Sequence, residues 1–77
     1  MVSLKKIVEI NREGWVLFHS NSCGYCLEIK KNLGIIKWTA INKRECSNII
    51  CPPQITSFPT WLNTRTKKTW SGAGVFR

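Results

Sequence analysis

Two cysteines separated by two residues, Cys23-Gly24-Tyr25-Cys26, stand where a run of β-favouring apolar residues gives way to a segment of helical periodicity. Trp15-Val16-Leu17-Phe18 is short, continuous and apolar, as expected of a central strand buried on both faces. From Gly24 to Leu33 the inward positions Cys26, Ile29 and Leu33 recur at helical spacing, while Glu28, Lys30 and Lys31 point outward and Gly34 supplies a stop. The cysteines therefore open a helix, where unpaired backbone N–H groups and the helix dipole stabilise a negative sulfur. Cys23, at the exposed entrance, is the expected attacking thiolate, and Cys26, one turn later and facing inward, the resolving thiol. Attack by Cys23 on a substrate disulfide gives a mixed disulfide; displacement by Cys26 leaves a Cys23–Cys26 bond and a reduced substrate.

The remaining elements arrange themselves around this unit. Leu4, Ile7, Val8 and Ile10 predict an amphipathic helix over Ser3 to Asn11, broken by Arg12 to Gly14. Ile35 to Asn42 reads as a second strand, joined to the first by a right-handed helical crossover and so parallel to it. Glu45 to Ile50 is read as a short helical turn ended by Pro52 and Pro53. Phe58 to Asn63 and Lys68 to Ser71 read as strands of an antiparallel hairpin turning over Thr64 to Lys67. The expected order is α, β, α, β, short α, β, β. Trp15, Trp38 and Trp61 fall within these expected strands and belong to the core, whereas Trp70 lies near the edge.

A chain of 77 residues has room for a single domain, 1–77, that removes only about 60% of its unfolded surface from water. The charge-rich stretch from Met1 to Trp15 lacks the apolar core of a signal peptide, and no run of about 18 apolar residues offers a membrane span. The expected compartment is the cytoplasm, where a cysteine pair is more often catalytic or metal-binding than a permanent disulfide. Twelve Lys and Arg against four Asp and Glu give a net charge of +8. These cations are scattered as Lys5/Lys6, Lys30/Lys31, Lys43/Arg44 and Arg65/Lys67/Lys68, which favours solvated faces over a nucleic-acid stripe.

The spacing Cys23-x2-Cys26-x19-Cys46-x4-Cys51 is close to that of four-thiolate zinc sites. One alternative is therefore a non-enzymatic zinc module with a basic, nucleic-acid-contacting surface, to which His19 offers a spare ligand, although a lone loop histidine is ordinarily a surface or partly packed residue. Another is an interaction module whose disulfide is merely structural. What favours redox chemistry is Phe58-Pro59-Thr60-Trp61, since an interior proline has no ordinary place at the start of a strand. A cis Phe58–Pro59 bond would turn the chain sharply and present the Phe58 backbone to an extended substrate. Tyr25 and Phe58 would flank Cys23 with apolar surface for a protein substrate.

The Val16-Leu17-Phe18 strand, Cys23-Gly-Tyr-Cys26 heading a helix, and Phe58-Pro59-Thr60 before a hairpin together resemble the thioredoxin superfamily over roughly Gly14 to Gly74. The resemblance implies a minimal thioredoxin-like α/β fold with a mixed four-stranded sheet and flanking helices. It implies Cys23 as nucleophile, Cys26 as resolver, a cis Pro59 against the active pair, and Tyr25, Phe58, Pro59 and Thr60 as substrate-binding residues. No metal or organic cofactor is implied; the partners are protein thiols and disulfides, with glutathione or a reductase recycling the pair. Cys46, Cys51 and Ser57-Phe-Pro-Thr-Trp61 look like the small thioredoxin-like domains attached to vitamin K epoxide reductase homologues, in which a second cysteine pair recurs. Cys46 and Cys51 are accordingly a second redox pair, a staple of the loop before Pro59, or two independent buried thiols. Ser22 replaces the tryptophan that precedes the first cysteine in typical thioredoxins, and Leu17 replaces their buried acid, leaving water or Glu28 to deprotonate Cys26. Gly72-Ala-Gly74 is faintly similar to the glutathione-binding turn of glutaredoxins, and the usual final helix is missing.

Overall fold

Ser3 begins the first helix: its Oγ accepts the Lys6 backbone N–H at 3.2 Å, the usual work of an N-cap serine. Gly14 ends it at φ 102°, its N–H donating to Asn11 O at 3.1 Å. A Cβ at Gly14 would meet Arg65, Asn63 and Thr64 atoms at 3.1–3.2 Å, so both the left-handed turn and the close approach require glycine. The computed structural model describes residues 3–20, 23–46 and 50–71. Within them the order is α1 (Leu4–Glu13), β1 (Trp15–His19), α2 (Gly24–Ala40), β2 (Lys43–Glu45), β3 (Thr60–Asn63) and β4 (Thr69–Ser71).

The strands form one mixed sheet in the order β2-β1-β3-β4, with β1 parallel to β2 and antiparallel to β3, and β3 antiparallel to β4. Leu17 and Trp61 are register partners on the two central strands, and both are wholly buried. They join Ile7 and Ile10 of α1 with Trp38 and Ile41 in one cluster, bordered by Trp15, Ile29, Leu33 and Ala40. Phe18, Thr60 and Leu62, which alternate to the opposite face, are buried too. The central strands are thus covered on both faces, as the apolar run in β1 predicts. In α1 the buried face is Ile7 and Ile10, while Leu4 and Val8 stay exposed.

One expected element is corrected. Ile35 to Asn42 does not form a strand: the chain breaks at Gly34, with φ 81° and ψ 165°, and resumes as helix to Ala40. Gly34 does stop the first helical segment, in a backbone region open to glycine alone. Trp38 and Ile41, three apart, then enter the core together while Ile35 and Ile36 remain exposed, a helical rather than a two-residue period. Trp38 is therefore a helix residue. The second strand falls later, on Lys43–Glu45, a charged edge strand with no apolar alternation to betray it. Asn11 secures this junction, its Nδ2 donating to Ala40 O at 2.8 Å and its Oδ1 accepting from Asn42 N at 3.0 Å.

The hairpin strands are shorter than expected, Thr60–Asn63 and Thr69–Ser71, and the Phe58–Pro59 peptide before the first is cis. The expected helical turn over Glu45 to Ile50 is not seen at its start, where Glu45 ends β2 and Cys46 lies in a turn; 47–49 lie outside the described residues. So do Ser22 and the tail 72–77, with its Gly72-Ala-Gly74 segment. Among the described residues, no helix is long and apolar enough to cross a membrane.

Candidate functional site

The site gathers at the end of β1 where the chain passes into α2. Cys23 is the N-cap of α2: its extended backbone ends the loop, its N–H donates to Ser20 O at 3.2 Å, and its carbonyl accepts from Leu27 N at 3.2 Å. Its sulfur accepts the Cys26 backbone N–H at 3.2 Å. The Cys26 N–H, which has no intrahelical partner so near the helix start, is thus taken up by Cys23 Sγ. Cys23 is half-buried and Cys26 buried, and both are free thiols. Burial, and secondarily the hydrogen bond with Cys23, pushes the Cys26 thiol up to about 11. The pair is therefore asymmetric in the way exchange chemistry needs, with one accessible sulfur at the helix entrance and one protonated thiol beneath it.

A groove of about 470 Å³ lies between α2, the turn at Pro59 and the β4 edge, and neither cysteine lines it. Tyr25, Phe58 and Pro59 line it, with Ile29 and Asn32 further along α2 and Ser71 at its far end. The Phe58–Pro59 peptide is cis, as expected. Thr60 stands outside this lining: it is buried, and its hydroxyl donates to Ser57 O at 2.7 Å, so it braces the turn. Tyr25, Glu28, Ile29 and Asn32 follow the i, i+3, i+4, i+7 pattern of one helix face; that spacing marks Asn32, which the sequence reading passed over. Glu28 lines the groove and not the cavity around Cys26.

That cavity, about 200 Å³, is lined by Cys26, His19, Lys30, Trp38 and Glu45 among others. His19 sets its ring edge-on to Trp38, centroids 5.1 Å apart. Burial lowers its pKa; the Glu45 carboxylate acts to raise it, Lys43 and Lys30 to lower it. Lys43 is itself lowered by burial, its Nζ donating to Trp38 O at 2.8 Å and lying 5.4 Å from the Trp38 ring centroid.

Cys46 and Cys51 form a disulfide, Cα atoms 5.7 Å apart. The Cys46 N–H donates to His19 O at 2.8 Å, so this second pair hangs from the same strand end that leads to Cys23. The structure does not assemble the four cysteines as a thiolate set, and among the described residues no group of three His, Cys, Asp or Glu side chains is arranged to hold a metal.

Compared with known proteins, the chain matches no family model and no curated sequence. The element order and the mixed sheet are those of a minimal thioredoxin-like α/β fold, with two free thiols at the β1–α2 junction.

Proposed function

We propose that this protein is a thiol–disulfide oxidoreductase of the thioredoxin-like kind, acting on protein substrates in the cytoplasm through Cys23 and Cys26. The observation that carries this reading is the unequal treatment of the two sulfurs. Cys23 Sγ caps α2 and receives the Cys26 N–H, whereas Cys26 is buried and held as the thiol. Cys23 attacks a substrate disulfide, one substrate sulfur leaves as thiol, and the other stays bonded to Cys23. Cys26 then displaces it, the two cysteine sulfurs giving up the electron pair that reduces the substrate. The reverse sequence oxidises a dithiol.

The groove supports a protein substrate, because Tyr25 of α2 and Phe58 and Pro59 of the turn together offer it an apolar surface. Glutathione or a reductase would return the pair to its starting state. The Cys46–Cys51 disulfide, joined to the same strand end through the Cys46 N–H, is a second redox pair or a staple of the loop before Pro59.

Trapping tests the order of attack. With Cys26→Ser, a substrate disulfide should leave a stable adduct on Cys23, located by peptide mass; with Cys23→Ser, no adduct should form on Cys26. Equal adduct yields on both variants would contradict the assignment.

A further inference from the structure

Displacement by Cys26 has a chemical difficulty that the two sulfurs do not solve. Burial holds Cys26 as the thiol at neutral pH, and the neutral form is a poor nucleophile. A proton acceptor close to Cys26 is needed.

We propose that His19 takes the Cys26 proton across the cavity the two residues share, as Cys26 attacks the mixed disulfide on Cys23. The inference rests on the oxidoreductase reading and adds to it the residue that makes the second step possible. Both side chains line the same space of about 200 Å³, which has room for several waters and polar groups to hold them. Proton transfer through one water is as serviceable as direct contact. His19 is held by the edge of Trp38 and stands opposite Glu45 in the β1–β2 register, so its ring is fixed while the cavity stays open.

The charges around the ring suit an acceptor. Burial keeps the imidazole neutral at neutral pH, with Lys43 and Lys30 acting in the same direction and Glu45 against it. Once protonated, the imidazolium faces the Glu45 carboxylate, which stabilises it until the proton is released. Glu45 is the rival acceptor in the same cavity, and Glu45→Gln tests it. The step balances: the proton passes from Cys26 Sγ to His19, the Cys26 sulfur bonds to Cys23 Sγ, and the substrate sulfur leaves with the electron pair, taking a proton from His19 or solvent.

A nitroaryl disulfide in stopped flow separates the steps, because the first coloured thiolate reports attack by Cys23 and the second reports displacement by Cys26. Wild type, His19→Phe, His19→Gln and Glu45→Gln are compared from mildly acidic to mildly alkaline pH. The expected result is an unchanged first phase in both His19 variants, with the second slowed about 100-fold at neutral pH and newly proportional to hydroxide. A cooperative urea transition in each variant shows that it is folded. A second phase with the wild-type pH profile in both His19 variants overturns the inference, as does a slowing found only in Glu45→Gln. Absence of any second phase in the wild type would instead overturn the oxidoreductase reading.

Discussion

The backbone N–H of Cys26 donates to the sulfur of Cys23 at 3.2 Å, so the buried cysteine positions the half-buried one. The bond exists because Cys23 holds an extended, N-cap conformation while Cys26 is already helical. The two-residue spacing is therefore a geometric requirement: the N-cap side chain reaches the N–H three residues on.

Cys26 and His19 should each remove stability from the reduced protein on one side of neutral pH, the lowered Lys43 pKa opposing part of the alkaline loss. Folding raises the Cys26 pKa from 9.0 to about 11, so its contribution is complete below about 9 and is lost as pH rises towards about 11. Folding lowers the His19 pKa below 6.5, so the unfolded chain takes the proton first and stability falls as pH drops below that value. Urea midpoints measured against pH should show both limbs. Cys26→Ala should flatten the alkaline one and His19→Phe should reduce the acid one.

Asn63 joins three parts of the fold and should be costly to lose. Its Nδ2 donates to Glu13 O at 3.2 Å, and its Oδ1 accepts from Arg65 N at 2.9 Å and Thr66 N at 3.1 Å. It is buried, so Asn63→Ala leaves these groups without that partner and should destabilise by about 1–3 kcal/mol. Urea unfolding should show a lower midpoint at unchanged slope.

The Cys46–Cys51 bond closes a short loop, its cysteines five residues apart in sequence. The chain-entropy account gives such a loop about 2 kcal/mol. The Cys46→Ala/Cys51→Ala double variant should lose roughly that much in urea unfolding, and an unchanged midpoint would show that the bond is no staple.

How much of this was legible before the structure differs from element to element. The first helix, the central strand, the cysteine-capped helix and the cis proline were readable because each has a local cause: a cap, an apolar run, a spacing, a proline where a strand begins. β2 was not, since Lys43-Arg44-Glu45 pairs at a solvent edge by backbone alone. The apolar stretch after Gly34 suits strand or helix equally, and tertiary burial of Trp38 and Ile41 decided it. In the site, the cysteines and groove aromatics follow from local pattern, and Thr60 was expected at the substrate but is buried. The grouping of His19 with Cys26 and Glu45 depends on strand pairing across distant sequence, which no local spacing reveals.

The central claim is that Cys23 and Cys26 work as one two-electron pair. Alkylation and mass counting across glutathione buffers, on the wild type and Cys23→Ser, tests it most directly. The account predicts that both thiols of the wild type disappear together at a single midpoint between about −270 and −120 mV, the lower end marking a reductase and the upper an oxidant. In Cys23→Ser, Cys26 should form no such intramolecular bond. Independent titration of Cys23 and Cys26, or thiols that resist alkylation until a chelator is added, would contradict it.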